Sequence, residues 1–338
     1  MTICPAFLEG DKSNHWFVCP EQEGILRTGY GFRGTLGILV VLILSLVFIA
    51  PPAFGQLGGE QIRGDLGLKS GTQAPPGLYI AETLYFYRPT EVTGANGAPL
   101  PGNLSLNLFA PVLGVNYVAK KKILGAHYGV AVAMWIMNQK LALPSLNVNA
   151  STYGFGDTYV SPMQLGWNFK RADVIATYAF YAPTGRYTAG ANNNTGLGMW
   201  TNEFGLGSTV YFDDSRLWHM SGTALYEFHT QKQGVNQTVG GIMTIEGGVG
   251  RDFLKGFARA GAAYYGQWKV SADTGTDVPR IVQGQKGSMV GFGPELDTPV
   301  CKCPLLMTFR YLFDVDSRGS TKGQSLLVSL AWVHPSKP

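Results

Sequence analysis

Charge is scarce in this chain. Only 14% of its 338 residues are Asp, Glu, Lys or Arg, and the formal net charge is +4. Proteins that bind nucleic acids usually carry a clustered basic stripe. The basic residues here are too few and too dispersed to form one. The composition therefore excludes nucleic acid as a partner.

Long apolar runs are also scarce. The one almost unbroken run, Leu36–Ile49, is preceded by two arginines. It is too short to cross a bilayer as a helix, which takes roughly 20 apolar residues. Ala53 and Gly55 have the −3 and −1 spacing of a signal-peptidase site. This pattern predicts a signal peptide over residues 1–55 and an exported protein.

The head of this leader is long and carries acidic residues, which a signal peptide rarely has. These are Glu9, Asp11, Glu21 and Glu23. We hypothesise that translation starts downstream of Met1. N-terminal peptides that map to residues 1–20 in the native host would contradict this hypothesis.

Cysteine is rare, and two of the four cysteines lie in the predicted leader. Cys301 and Cys303 remain after cleavage. A C-x-C disulfide closes a small, strained ring, and no His or further Cys lies nearby to complete a tetrahedral zinc site. We expect the pair to be inert or structural, with a labile disulfide or metal binding as alternatives. No cofactor is predicted.

After the leader, residues 56–76 are rich in Gly, Pro and Gln and show no periodicity, which predicts a periplasmic lead-in. A plug that these residues form inside the barrel stays open as an alternative. From Leu78 onward, apolar and polar residues alternate with period two, and no stretch holds a helical period. The predicted strands are 78–88, 104–118, 126–138, 158–170, 172–182, 200–212, 217–229, 242–253, 256–270, 287–296, 304–316 and 323–334. Twelve is an even number, as bacterial single-chain barrels require.

The connections between these strands alternate between long and short. The long ones are 89–103, 139–157, 183–199, 230–241 and 271–286, and they are polar and rich in Gly, Asn and Thr. This alternation is typical of transmembrane barrels with short periplasmic turns and long external loops. We predict an all-β antiparallel barrel of about 12 strands over residues 77–334, with a short tail at 335–338. Its location is the Gram-negative outer membrane, where it contacts lipid and is folded by the barrel-assembly machinery. A soluble β-sandwich is the alternative.

Side-chain phase separates a lipid face from an inward face. Tyr159, Met163, Leu165, Trp167 and Phe169 share one phase, which we assign to lipid because lipid cannot satisfy polar groups. The opposite phase supplies the candidate lumen-lining residues Glu203, His219, Glu227, Glu246, Arg259, Tyr265, Gln267, Lys269, Arg310 and Asp314. Such groups either pair across the lumen and stiffen it or line a substrate path, and both roles stay open.

His219 and Ser221, two residues apart on one strand face, also suggest an enzyme. A His base beside a Ser nucleophile is hydrolase chemistry, and an outer-membrane phospholipase has a similar His-x-Ser arrangement. Against this, Trp218 and Met220 occupy the lipid face, and no clear orienting Asn or Asp lies in register on a neighbouring strand. A lipid hydrolase therefore stands as an alternative, beside a structural or adhesion barrel.

Several stretches resemble one outer-membrane family. They include GDTYVSPMQLGW at 156–167, YAFYAPTGRY at 178–187, GMWTNE at 198–203, TIEGGVG at 244–250 and AYYGQWKV at 263–270. They are similar to the family of the MetA pathway of phenol degradation. The resemblance implies an outer-membrane channel, a transporter rather than an enzyme, linked to catabolism of aromatic compounds. We expect passive uptake of small hydrophobic or aromatic solutes, screened by external loops such as 183–199.

Overall fold

The computed structural model describes residues 58–100, 105–143, 148–191, 193–253, 258–279, 284, 286–300 and 304–335. The predicted signal peptide, the Cys301/Cys303 pair and residues 336–338 of the predicted tail lie outside this set. Within the described residues, no helix is long and apolar enough to cross a membrane.

Thirteen antiparallel strands make up one sheet. They are β1 (Gly77–Val92), β2 (Ser105–Ile123), β3 (Ala126–Leu143), β4 (Val148–Phe155), β5 (Thr158–Asn168), β6 (Ala172–Ala182), β7 (Thr201–Tyr211), β8 (Trp218–His229), β9 (Ile242–Phe253), β10 (Ala258–Lys269), β11 (Ser288–Pro299), β12 (Leu305–Arg318) and β13 (Thr321–Pro335).

The sheet closes on itself because β1 pairs with both β2 and β13. Gly77 is opposite Pro335 on one side and Val118 on the other. β3 pairs with β5 over residues 127–133 and with β4 over residues 136–143. β4 is thus a short strand beside one end of β3, and the other twelve strands form the wall. The predicted twelve-stranded barrel is confirmed. The unpredicted β4 lies within the long connection 139–157.

Alternation along each strand gives the barrel an apolar outer face and a polar inner face. In β7, Phe204 and Leu206 are 53% and 63% exposed, whereas Glu203 of the same strand is buried. The same alternation exposes Trp218, Met220 and Phe228 of β8. This apolar outer belt is the surface that a lipid bilayer requires.

One predicted phase is wrong at its first residue. Tyr159 of β5 lies inside the barrel, where its ring packs edge-on against Tyr181 with centroids 5.1 Å apart. The pairing of β5 with β6 shifts register between Val160 and Met163. A bulge adds a residue and reverses the side-chain phase beyond it. Leu165 and Trp167 therefore face opposite to Tyr159, although strict period two put them together.

The predicted periplasmic lead-in is also wrong for its described part. Residues 58–76, called the plug below, lie inside the barrel and include a short 3-10 helix at Gly67–Lys69. Leu68 in this helix is completely buried. The plug hydrogen-bonds to inward side chains of β8, β9 and β11. It therefore occupies the lumen, whereas the sequence predicted a segment on the periplasmic side.

Candidate functional site: the lumen and its plug

The plug runs through the lumen from the end with long loops to the end with short turns. Gly58 lies beside Val239 and Lys269, at the long-loop end. At the opposite end the side-chain amide of Gln73 donates to the backbone carbonyl oxygen of Gln164 at 3.3 Å. The sixteen residues from Gly58 to Gln73 thus connect the two ends of the barrel, before β1 begins at Gly77.

Three wall glutamates hold the plug by its backbone. Glu227 accepts from the amide of Glu60 at 2.7 Å, and Glu246 accepts from the amides of Gly64 and Leu66 at 2.7 and 3.0 Å. Glu295 accepts from the amide of Leu68 at 3.2 Å. Buried backbone N–H groups require an acceptor, and here inward carboxylates take the place of a neighbouring strand.

A second set of contacts pairs charges between plug and wall. Lys69 Nζ lies 2.5 Å from Asp252 Oδ2. The other Asp252 oxygen receives Arg259 Nε at 2.8 Å and lies 3.1 Å from His219 Nε2. Arg259 continues to Asp297 at 2.6 Å. Buried charges need such partners, and the plug lysine completes a network that the wall already contains.

Two arginines cross the interface between the plug and the wall, one from each side. Arg63 of the plug reaches the wall, 3.7 Å from the Asp314 carboxylate and 4.5 Å above the Tyr87 ring. Arg310 of the wall reaches the plug, where it donates to the carbonyl oxygens of Gly64 and Asp65. Arg310 also donates to Glu295 at 2.6 Å. The plug is therefore bound through both its carbonyl and its amide groups.

Glycines of β9 and β10 make room for Leu68. A Cβ atom at Gly248 or Gly261 would lie 2.7 Å from Leu68 Cδ2, and one at Gly250 would lie 3.2 Å from Leu68 Cδ1. A glycine inside a strand often marks a place where another group approaches closely. Here that group is the plug leucine.

At the short-turn end, Asp173 of β6 ties the plug to the wall. It accepts from Thr72 of the plug at 3.0 Å, from the Tyr211 hydroxyl at 2.7 Å and from Arg216 Nη2 at 2.6 Å. The Arg216 guanidinium also lies 3.9 Å above the Tyr211 ring. This cluster fixes the last residues of the plug before β1.

All ten residues predicted to line the lumen point inward. Eight are at most 7% exposed, namely Glu203, His219, Glu227, Glu246, Tyr265, Gln267, Arg310 and Asp314. Arg259 and Lys269 are more exposed, and Lys269 pairs with Asp273 at 2.5 Å. Most of the ten contact one another or the plug. Whether any of them lines a substrate path stays a prediction.

His219 and Ser221 do not form a catalytic pair in this arrangement. An orienting carboxylate is present after all, because Asp252 contacts His219. Ser221 Oγ, however, donates to the Leu68 carbonyl oxygen at 2.8 Å and accepts from the Gly248 amide at 3.2 Å. Both side chains lie beneath the plug and away from lipid, so the serine hydroxyl serves to hold the plug.

The opposite side of the lumen is apolar. A cavity of about 50 Å³ lies there between the plug and strands β1–β3. Its lining residues are Glu60, Ile62, Tyr85, Leu108, Ala110, Trp135, Met137, Thr195 and Leu197. Sequence analysis named none of these as site residues, although the period-two phase places Tyr85, Leu108 and Trp135 inward.

Asp157 holds the long connection 183–199 over this cavity. Its two carboxylate oxygens accept from the amides of Gly185 and Leu197, at 2.8 and 2.7 Å. The Arg186 carbonyl oxygen accepts from the Thr195 amide at 2.9 Å, which folds the loop back on itself. Thr195 and Leu197 consequently form the wall of the cavity on its long-loop side.

A family model described as "Putative MetA-pathway of phenol degradation" matches residues 90–330. The chain belongs to this family. The match covers ten complete wall strands, β4 and most of β13, together with every inward residue discussed above except those of the plug and of β1. No curated protein matches the chain. Among the described residues, no group of three or more His, Cys, Asp or Glu side chains is placed to hold a metal ion.

A solved outer-membrane channel shares the barrel fold. The COG4313 outer membrane channel from Pseudomonas putida F1 is similar with a TM-score of 0.67 and 13% identity, over 81% of this chain and 100% of that one. The β domain of the Bordetella autotransporter BrkA gives a TM-score of 0.48 and 10% identity, over 76% and 99%. The closed barrel, its apolar belt and the family membership together identify an outer-membrane protein of the Gram-negative type.

Proposed function

We propose that the protein is a passive outer-membrane channel for small hydrophobic or aromatic compounds, and that it is not an enzyme. The observation that carries the proposal is the division of the lumen. The charged wall of β7–β12 is occupied by the plug, so the space left for a solute is bounded by Tyr85, Leu108 and Trp135. Apolar walls favour apolar and aromatic solutes over ions and sugars.

The cavity is too small for an aromatic solute in this structure. An engineered apolar cavity of roughly 150 Å³ binds benzene, whereas the cavity here is about 50 Å³. A solute therefore occupies it only when the plug or the loop 183–199 shifts. The similar Pseudomonas putida F1 structure is named an outer membrane channel, which agrees with a transport role.

The test is uptake by Gram-negative cells with an intact lipopolysaccharide leaflet, because phospholipid liposomes are themselves permeable to neutral aromatics. Labelled toluene, phenol and a disaccharide are offered to cells with and without the protein. We expect faster uptake of the aromatics and unchanged uptake of the sugar. Equal aromatic uptake with and without the protein would overturn the channel.

The partners follow from the same proposal. Outer-membrane lipid would cover the apolar belt, and the barrel-assembly machinery would insert the chain. A lipid hydrolase receives no support from the site, because the Ser221 hydroxyl is bonded to the plug and faces away from lipid.

A further inference from the structure

One acidic residue lines the apolar cavity, and it belongs to the plug. Glu60 is 4% exposed and lines the cavity together with apolar side chains such as Ile62 and Leu108. Its backbone amide is held by Glu227 at 2.7 Å. The plug therefore fixes the position of this side chain in the cavity.

The Glu60 carboxyl is not saturated by the protein. Among the described residues, its buried Oε1 atom has no hydrogen-bond partner. Burial, together with the nearby Asp157, raises the pKa of Glu60 well above its usual range. Leaving a buried polar atom without a partner is costly, and such atoms in native proteins call for an explanation.

We propose that Glu60 is the recognition point for the hydroxyl group of a neutral phenolic solute, an assignment that rests on the channel function proposed above. Apolar side chains around Trp135 would contact the ring, and Glu60 Oε1 would accept a hydrogen bond from the hydroxyl group. None of the nine lining residues is basic. An aromatic carboxylate would therefore meet two acidic groups, Glu60 and Asp157, against the nearby ammonium group of Lys232.

Entry to this position is from the long-loop side. Thr195 and Leu197 separate the cavity from the loop end of the barrel, and Asp157 holds the loop that carries them. A modest outward movement of this loop enlarges the cavity while Glu60 stays anchored through Glu227. The hydroxyl group of an entering solute would thus meet Glu60 before the ring passes deeper.

The experiment compares three solutes of similar size in the cell uptake assay, namely phenol, toluene and benzoate. Toluene has nearly the shape of phenol but donates no hydrogen bond. The variants are Glu60→Leu, which removes the polar group, and Glu60→Gln, which keeps a hydrogen-bonding group. Glu91→Leu is the control, since Glu91 lies at the rim of β1 and pairs with Lys322 at 3.7 Å. Heat-modifiable gel migration establishes that each variant is folded.

In the wild-type protein we expect uptake to favour phenol over toluene by about fivefold, the ratio that one net hydrogen bond supplies. Glu60→Leu should abolish this preference, whereas Glu60→Gln and Glu91→Leu should retain it. Benzoate uptake should be lowest in the wild-type protein and should rise in both Glu60 variants. The ratio of phenol to toluene within one variant cancels any change in how far the plug is open.

The outcomes separate this assignment from the channel itself. If no aromatic solute enters faster with the wild-type protein than without it, the channel function fails. If phenol and toluene both enter and their ratio is the same in the wild-type protein and in Glu60→Leu, the channel stands and the role of Glu60 is rejected. A wild-type preference for benzoate would also reject it.

Discussion

The ammonium group of Lys69 lies 2.5 Å from the carboxylate of Asp252, and this ion pair joins the plug to the barrel wall. The lysine and aspartate side chains are only 13% and 5% exposed. Asp252 keeps two further partners on the wall, Arg259 and His219. The pair can therefore be broken from the plug side without leaving the wall carboxylate alone.

Replacing Lys69 with methionine should loosen the plug while the barrel stays folded. The expected loss is roughly 1.5–3 kcal/mol of plug docking, the net value of a hydrogen bond to a charged group. In planar bilayers, the variant should show more frequent openings or a larger single-channel conductance than the wild-type protein.

The matched control is Arg171→Met at the short turn between β5 and β6. Arg171 pairs with Asp214 at 2.9 Å, but both side chains are more than half exposed. Exposed pairs contribute at most about 1 kcal/mol. Arg171→Met should therefore leave conductance unchanged. If both variants behave like the wild-type protein, Lys69 does not hold the plug.

Two glutamates on the wall allow the same substitution to be compared. Both oxygens of Glu246 accept plug amides, from Gly64 and Leu66, so Glu246→Gln replaces one acceptor with an NH₂ donor. Among the described residues, Glu203 accepts no hydrogen bond from a plug amide, and its Oε2 atom has no partner. Glu246→Gln should raise conductance, and Glu203→Gln should not. Equal effects would show that these carboxylates do not act by holding the plug backbone.

Period two predicted the wall of this barrel well. Every predicted strand exists, and the inward phase correctly placed residues as far apart as Glu203 and Asp314. The predicted side-chain phase failed where a bulge interrupts the alternation. The bulge between Val160 and Met163 turned Tyr159 inward. Alternation does not reveal it, but Pro162 inside the strand is the residue type that marks a bulge.

The plug could not be predicted from periodicity because its fold is not periodic. Residues 58–76 are held by backbone amides, by Lys69 and by a glycine-lined niche for Leu68, all of which depend on strands far along the chain. One signal was available. No Lys or Arg shares the inward face of β7, β8 and β9 with Glu203, Glu227 and Glu246, which implies that donors from elsewhere enter the lumen.

Replacing Ser221 with alanine tests the hydrolase alternative. Ser221 Oγ bonds the Leu68 carbonyl oxygen and the Gly248 amide. We expect no release of fatty acids from phospholipid by either the wild-type protein or Ser221→Ala, and a modest increase in channel openings for the variant. Lipid hydrolysis by the wild-type protein that Ser221→Ala abolishes would instead establish the enzyme.

Replacing Asp157 with asparagine should free the loop 183–199. Both carboxylate oxygens accept amides of this loop, from Gly185 and Leu197, and an asparagine side chain offers one acceptor. The loop should then open more often over the cavity bounded by Leu197 and Trp135. We expect aromatic uptake to rise about two- to tenfold, as loss of one net hydrogen bond predicts.

Because the wall carboxylates that hold the plug backbone and Lys69 are unchanged in Asp157→Asn, uptake of a disaccharide should stay near the level of cells without the protein. Combining Asp157→Asn with Lys69→Met separates the two barriers. If loop and plug close the channel in series, the double variant should admit the sugar that neither single variant admits. Sugar uptake through Asp157→Asn alone would show that the loop is the main barrier and that the plug leaves a wide path beside it.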